Sequence, residues 1–267
     1  MNIYKIYRTI NVDEFWTNYW VRVSEDSDVI INYDYYPFTT LRDYLSRDMK
    51  ILEIGCGTGR VLKGLANEKY DIVGCDLDFN SLESINANKK YRVFRSDIRN
   101  MPVRESTFDA VLCFGVLTCI EDISVIHRIL SDINNILRNN GILIISLLNY
   151  NLLRKIQRYA FLIESVAKKR YFYGWASSIA QLEKLLQGHF EVIQKTPSIS
   201  REPIWHNAPL FRGSKRIDEK IARVDDTQYQ LNIAGEWLFR QINKINPFLI
   251  SGSTTFVCRK RDDPHAR

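Results

Sequence analysis

The sequence predicts a doubly wound α/β protein with a mostly parallel, seven-stranded sheet, and three observations lead there. Between Lys50 and Leu148 short β-branched runs alternate with amphipathic segments, the pattern of parallel strands joined by crossover helices. The first strand runs straight into three alternating glycines, Gly55, Gly57 and Gly59. The next two strands are each followed closely by an acidic residue, Asp76 and Asp97.

The elements follow in order. Strands are expected at 50–54, 71–75, 91–94, 108–113, 142–148, 189–195 and 253–259. A helix at about 59–67 presents Val61, Leu62 and Leu65, and a second opens at Asn80-Ser81-Leu82-Glu83, where Asn80 reads as the cap. A long helix carries Ile123, Ile126, Leu130, Ile133 and Leu137 and ends at Arg138-Asn139-Asn140-Gly141, with Gly141 in the left-handed cap position. Amphipathic helices are expected at 151–170 and 178–187. The chain reads as one domain, 1–267, with a core at about 36–195 plus the final strand at 253–260. An aromatic-rich N-terminal helical cap covers 1–35, and a substrate-side insertion occupies 196–252.

Composition narrows the class. With 267 residues, 45% apolar and 25% charged, the chain is an ordinary globular protein rather than a disordered one. A net charge of +6 suits an anionic substrate, nucleic acid or an acidic lipid surface without choosing among them. No apolar run reaches the ~18 residues of a membrane span, and the first residues lack the apolar stretch of a signal peptide. The five cysteines form neither a CxxC pair nor a zinc-spaced cluster, so free thiols, no metal and a cytoplasmic location are expected.

The densest information lies in Leu52-Glu53-Ile54-Gly55-Cys56-Gly57-Thr58-Gly59. Glycines there let the backbone turn sharply and let a ligand approach without a Cβ in the way. Dinucleotide enzymes use a similar loop, but their fingerprint wants a small residue where this chain has Arg60. The displaced Gly59 and the preceding Glu53 suit a ligand without a pyrophosphate. Asp76, at the end of the second strand, suits a ribose of either kind of ligand. Asp97 and Ile98 after the third strand are placed for a purine ring, although a solvated loop carboxylate is the other reading of Asp97.

The segments ILEIGCGTGR, GCDLD, RSDIRNMPVRESTFDAVLCFGVLTCIED and LRNNGILIIS resemble the class I S-adenosylmethionine (SAM)-dependent methyltransferases. Within that family they are most similar to the small-molecule branch that includes quinone-biosynthesis and bacterial surface-polysaccharide methyltransferases. The resemblance spans about residues 36–195 and implies a Rossmann-like fold with SAM as cofactor. It implies that Glu53, Gly55 and Gly57 bound the methionine part, with Cys56 and Gly59 completing the loop. It places Asp76 on the ribose, Leu77 against the adenine, Asp97 and Ile98 on the adenine edge and ring, and Phe114 and Gly115 on the methyl-donor side. Two positions depart from the family: Asn139-Asn140-Gly141 replaces a Pro-Gly-Gly type turn, and Thr118 and Cys119 stand where relatives often carry a histidine.

Methyl transfer chiefly requires alignment of donor and acceptor. A general base is needed only where the acceptor must lose a proton. His127 and His189 read as structural, leaving His206 beside Trp205 as the candidate base, with no catalytic residue assigned. Trp16, Tyr19, Trp20, Tyr33, Tyr35 and Tyr36 either cap the cleft or pack a helix on the sheet, and the insertion with Trp205, His206, Trp237 and Phe239 is the expected substrate cover. A small-molecule or glycan-like acceptor, methylated at oxygen, is expected. Nucleic acid is not expected, because Cys113-Phe114-Gly115-Val116 replaces the Asn/Asp-Pro-Pro-aromatic motif of base methylation. The alternatives are a peripheral-membrane methyltransferase with a lipid-linked or quinone acceptor, through 151–170 or 236–250, and a non-catalytic SAM-binding protein.

Overall fold

The computed structural model describes residues 2–8, 38–86, 90–151, 171–197, 232–249 and 251–261. Nine strands are present among them: β1 (Tyr4–Arg8), β2 (Lys50–Ile54), β3 (Asp71–Asp76), β4 (Val93–Arg95), β5 (Phe108–Phe114), β6 (Leu137–Leu148), β7 (Tyr171–Ala176), β8 (Phe190–Pro197) and β9 (Ser253–Lys260). The helices are α1 (Leu41–Tyr44), α2 (Arg60–Asn67), α3 (Phe79–Asn86), α4 (Ile123–Ile136), α5 (Ile179–Gln187) and α6 (Ile233–Ile245).

Seven strands form one sheet in the order β4-β3-β2-β5-β6-β9-β8. All neighbours from β4 to β6 are parallel, whereas β9 runs antiparallel to both β6 and β8. The expected seven-stranded, mostly parallel sheet is therefore present. Chain order reverses direction between β2 and β5, so the C-terminal ends of these two strands flank the crevice in which doubly wound folds bind ligands.

Side chains alternate across the sheet and divide the core into two layers. Leu52, Ile54, Val111, Cys113, Leu143 and Ile145 pack on one face with Ile126, Ile129, Leu130 and Ile133 of α4 and Leu182, Leu185 and Leu186 of α5. Ile51, Ile72, Ala110, Leu112, Ile142 and Ile144 pack on the other with Val61, Leu62 and Leu65 of α2, Leu82 and Ile85 of α3 and Leu41 of α1. Burial on both faces explains the near-continuous apolar runs of the central strands.

Several expectations need correction. Residues 4–8 of the expected N-terminal helical cap form a strand, paired antiparallel with β7 in a separate two-stranded sheet. Tyr4 and Ile6 are half-buried while Lys5 and Tyr7 are exposed, a period of two that a helix cannot use. Residues 9–37 lie outside the described residues, as do 152–170 and 198–231, so Trp16, Tyr19, Trp20, Tyr33, Tyr35, Tyr36, Trp205 and His206 have no description. β7 itself falls between expected elements. Within the expected insertion, α6 is a helix capped by Asn232, whose side chain accepts from Gly235 N–H at 2.8 Å.

Two caps also differ. α3 starts earlier, capped by Asp78 rather than Asn80, because the Asp78 carboxylate accepts the Ser81 N–H at 2.9 Å. After α4 the left-handed residue is Asn140 (φ 60°), not Gly141. Glycine at 141 answers crowding instead: a Cβ there would sit 2.7 Å from the Arg138 carbonyl oxygen. Leu137, expected to end the helix, opens β6.

Candidate active site at the switch point

The loop after β2 is clamped to the end of β3. Gly55 and Cys56 both donate their N–H groups to the Cys75 carbonyl, at 2.8 and 3.0 Å, and Gly59 N–H donates to Cys56 O at 2.8 Å. This path needs left-handed backbone at Gly55 (φ 72°), Gly57 (φ 52°) and Gly59 (φ 81°), where a side chain is disfavoured. At Gly55 space is lacking too, since a Cβ would lie 2.0 Å from Val116 Cγ2. Gly59 occupies the N-cap position of α2, whose first N–H groups face the loop.

Asp76 ties this loop to the next. One carboxylate oxygen accepts Gly57 N–H at 2.8 Å and the other accepts Asp78 N–H at 2.9 Å. Each oxygen keeps acceptor capacity for a further donor. Leu77 and Phe79 flank Asp78 and are 53% and 56% exposed, apolar side chains left uncovered beside the crevice.

Glu53 is the unusual group. It lies in the middle of the sheet, 4% exposed, and its Oε2 has no hydrogen-bond partner. Burial pushes its carboxyl up to about 8, against the opposing pull of the Leu62 backbone and the Arg60 cation; the Asp76 charge adds to the rise. An unpaired, ionisable atom in a protein interior is costly and commonly marks a ligand contact.

On the β5 side, Gly115 has φ 77°, and a Cβ added there would meet nothing within 4 Å. Its N–H donates to the buried Ser146 hydroxyl of β6 at 3.0 Å. Its carbonyl accepts from Thr118 Oγ1 and Cys119 Sγ, each at 3.4 Å. Ser146 and Val116 were not singled out from sequence; a polar residue inside the apolar run of β6 was the available signal for Ser146. Phe114 packs edge-on against Phe38 with ring centroids 5.7 Å apart, and Arg60 lies over the other ring, 4.8 Å from its centroid.

Asp97 and Ile98 lie beyond β4. Ile98 is buried, 8% exposed. Asp97 is gripped by Arg99, whose Nε donates to both carboxylate oxygens at 2.9 Å and whose backbone N–H donates at 2.9 Å. The Arg99 hydrogen bond holds the Asp97 carboxyl below its ordinary range. All five cysteines are free, and Cys56, Cys75, Cys113 and Cys258 are buried. Burial pushes the Cys119 thiol up to about 11, so it stays protonated at neutral pH. His127 and His189 approach each other at 3.0 Å, Nδ1 to Nε2, with His189 just before β8 at the opposite end of the sheet from the crevice.

The mostly parallel sheet, with a glycine loop and an acidic strand end at its switch point, is a Rossmann-like methyltransferase fold. Residues 52–145 match the family model described as a methyltransferase domain, for which SAM is the cofactor. A SAM-dependent methyltransferase structure from Methanosarcina mazei superposes with a TM-score of 0.59 at 15% identity, covering 85% of this chain and 99% of that one, a likeness of fold. An uncharacterized protein of Methanocaldococcus jannaschii is 30% identical over 109 residues, which are 41% of this chain and 45% of that protein. A probable tRNA methyltransferase 9B from mouse is 37% identical over 67 residues, 25% of this chain and 14% of that protein. The chain thus spans less than half the length of either curated relative. Among the described residues no helix is long and apolar enough to cross a membrane.

Proposed function

We propose that the chain is an active SAM-dependent methyltransferase that methylates a small or glycan-like acceptor at oxygen. One observation carries the cofactor assignment: Gly55, Gly57 and Gly59, the buried Glu53 with its unpartnered oxygen, and Asp76 meet at the end of β2. These residues fit SAM. The Gly55–Gly59 turn and Glu53 would hold the methionine part, with the buried Cys56 completing the turn. Asp76 has oxygen lone pairs for ribose hydroxyls, and the exposed Leu77 offers an apolar surface to the adenine. Asp97 and Ile98 would meet the adenine edge and ring, with Arg99 fixing the orientation of the Asp97 carboxylate. Gly115, with open space in place of a Cβ, and Phe114 leave room for the reacting end.

When bound, SAM supplies an electrophilic methyl group on a sulfonium. The chain's own task is to hold donor and acceptor in line and to exclude water. The Ser146 hydroxyl and the Thr118 and Cys119 side chains hold the Gly115 turn, and so the open face beside it, in place. Cys119 stays protonated and supplies no base. His206 remains the proposed base for an acceptor that must lose a proton. The absence of an Asn/Asp-Pro-Pro motif after β5 and the scattered basic residues favour a small acceptor over nucleic acid. The tRNA methyltransferase likeness covers too little of either chain to carry an acceptor.

Calorimetric titration with SAM and NAD, followed by methyl transfer to a panel of nucleotide sugars, tests this. Micromolar SAM binding that Asp76→Ala abolishes, no NAD binding, and turnover on a sugar support it. NAD binding in place of SAM refutes the cofactor, and SAM binding without turnover on any acceptor favours a non-catalytic binding protein.

A further inference from the structure

Large apolar side chains that stay exposed are concentrated in one stretch of the described chain. Ile233 is 91% exposed, Trp237 63%, Ile245 80% and Leu249 50%. Ile233, Trp237, Arg240 and Lys244 recur at intervals of four, three and four residues, which sets them on one stripe of α6. Arg240 and Lys244 are exposed as well. The helix is capped at its start, so the stripe belongs to a defined element.

We infer that this face of α6 docks the protein onto an anionic lipid bilayer. An Ile and a Trp followed along the stripe by two cations suit the headgroup boundary, where the indole sits at the interface and long basic side chains reach outward to lipid phosphates. The helix sequence carries two cations against one acid, Glu236, in a chain of net charge +6. A parallel two-fold contact with a second copy brings the cations of both copies together, whereas an anionic surface neutralises them. A nucleic acid has no use for Ile233 and Ile245.

The attachment of α6 gives the docking a direction. Ser253, which opens β9, pairs with Leu148 at the C-terminal end of β6. Asn149 fixes the approach to β9: its N–H donates to Gly252 O at 2.9 Å and its side chain donates to Ser251 Oγ at 2.7 Å. α6 therefore joins the sheet at the same end as the glycine loop. Resting on the methyltransferase reading, this presents the crevice to acceptors at the membrane surface, among them a glycan-like acceptor carried on a lipid; docking itself requires no cofactor.

The full chain is tested by vesicle flotation with neutral phosphatidylcholine and with phosphatidylcholine containing phosphatidylserine. Flotation with the anionic vesicles alone is expected. Arg240→Gln/Lys244→Gln should lower partitioning about 30-fold, from the usual contribution of two basic residues near such a surface. Ile233→Ala/Trp237→Ala should lower it about ten-fold or more through lost apolar burial. Thermal melts and SAM titration of both variants should match the parent, which separates loss of docking from loss of fold or of the cofactor site. Absence of flotation, equal flotation with neutral vesicles, flotation unchanged in both double variants, or dimerisation or RNA binding that these variants abolish while flotation persists would each overturn the proposal.

Discussion

Glu53→Gln isolates the buried carboxyl at the heart of the crevice. Folding raises this group from 4.5 to about 8, so the folded state binds its proton more tightly than the unfolded chain does. Stability from this group is complete below pH 4.5 and is lost as pH rises through about 8. Over that window the loss reaches about 5 kcal/mol, at about 1.4 kcal/mol per pH step. Urea denaturation at pH 5 and pH 7 should show the wild-type protein losing about 2–3 kcal/mol relative to Glu53→Gln, which has no proton to release. The same variant should bind SAM at least ten-fold more weakly, while wild-type affinity increases between pH 6 and pH 8 as the carboxylate forms. Parallel stability profiles would refute the raised carboxyl. Undiminished SAM affinity in the variant would refute its role in the site.

Three further outcomes follow from the geometry. Gly55→Ala should cost about 2–4 kcal/mol in urea denaturation, since it combines a strained φ with a clash at Val116; adding Val116→Ala should recover the steric part, and full recovery would contradict the φ contribution. Gly115→Ala, facing open space, should cost only about 1–2 kcal/mol yet weaken SAM binding ten-fold or more in calorimetry, so a large stability loss with intact binding would move the crevice elsewhere. Burial and, second to it, the neighbouring His127 lower the His189 pKa, so stability from this group is lost as pH falls below 6.5; melts across pH 5–7 should become shallower, without flattening, in His127→Gln, and an unchanged slope would argue against the pair.

The legible part of the fold is the part with a local signature. β2, β3, β5 and the 142–148 part of β6 are largely apolar runs bounded by turn residues, and three alternating glycines between a strand and a helix mark a tight, ligand-facing turn. Asp76 stood out because its strand ends there. β1 and β7 did not stand out. Tyr4–Arg8 is short and mixes polar and aromatic residues, and Tyr171–Ala176 carries a glycine and no polar alternation. Each becomes a strand only by pairing with the other, a partnership across more than half the chain that no local window records. The cap of α3 shifted for a finer reason: Asp78 and Asn80 are both good cap residues, and it is the Asp78 carboxylate that meets the Ser81 N–H while Asp76 holds the Asp78 backbone. At the site, the burial of Glu53 and the closeness of Val116 depend on packing between β2 and β5, which spacing does not reveal.

The pairing of β1 with β7 also bears on when the protein is finished during synthesis. At about 5–20 residues per second, the ribosome takes roughly ten to thirty seconds after making β1 to deliver its partner. During that interval β2 to β6 can assemble, but Tyr4–Arg8 has nothing to pair with. When the two-stranded sheet closes, Gly174 sits against the Thr118 carbonyl, 3.1 Å from where its Cβ would be, so β7 packs on the turn that seats Gly115. Tyr4–Arg8 is thus among the later segments to be ordered, although it precedes the large sheet in the chain, and its pairing braces the turn at Gly115.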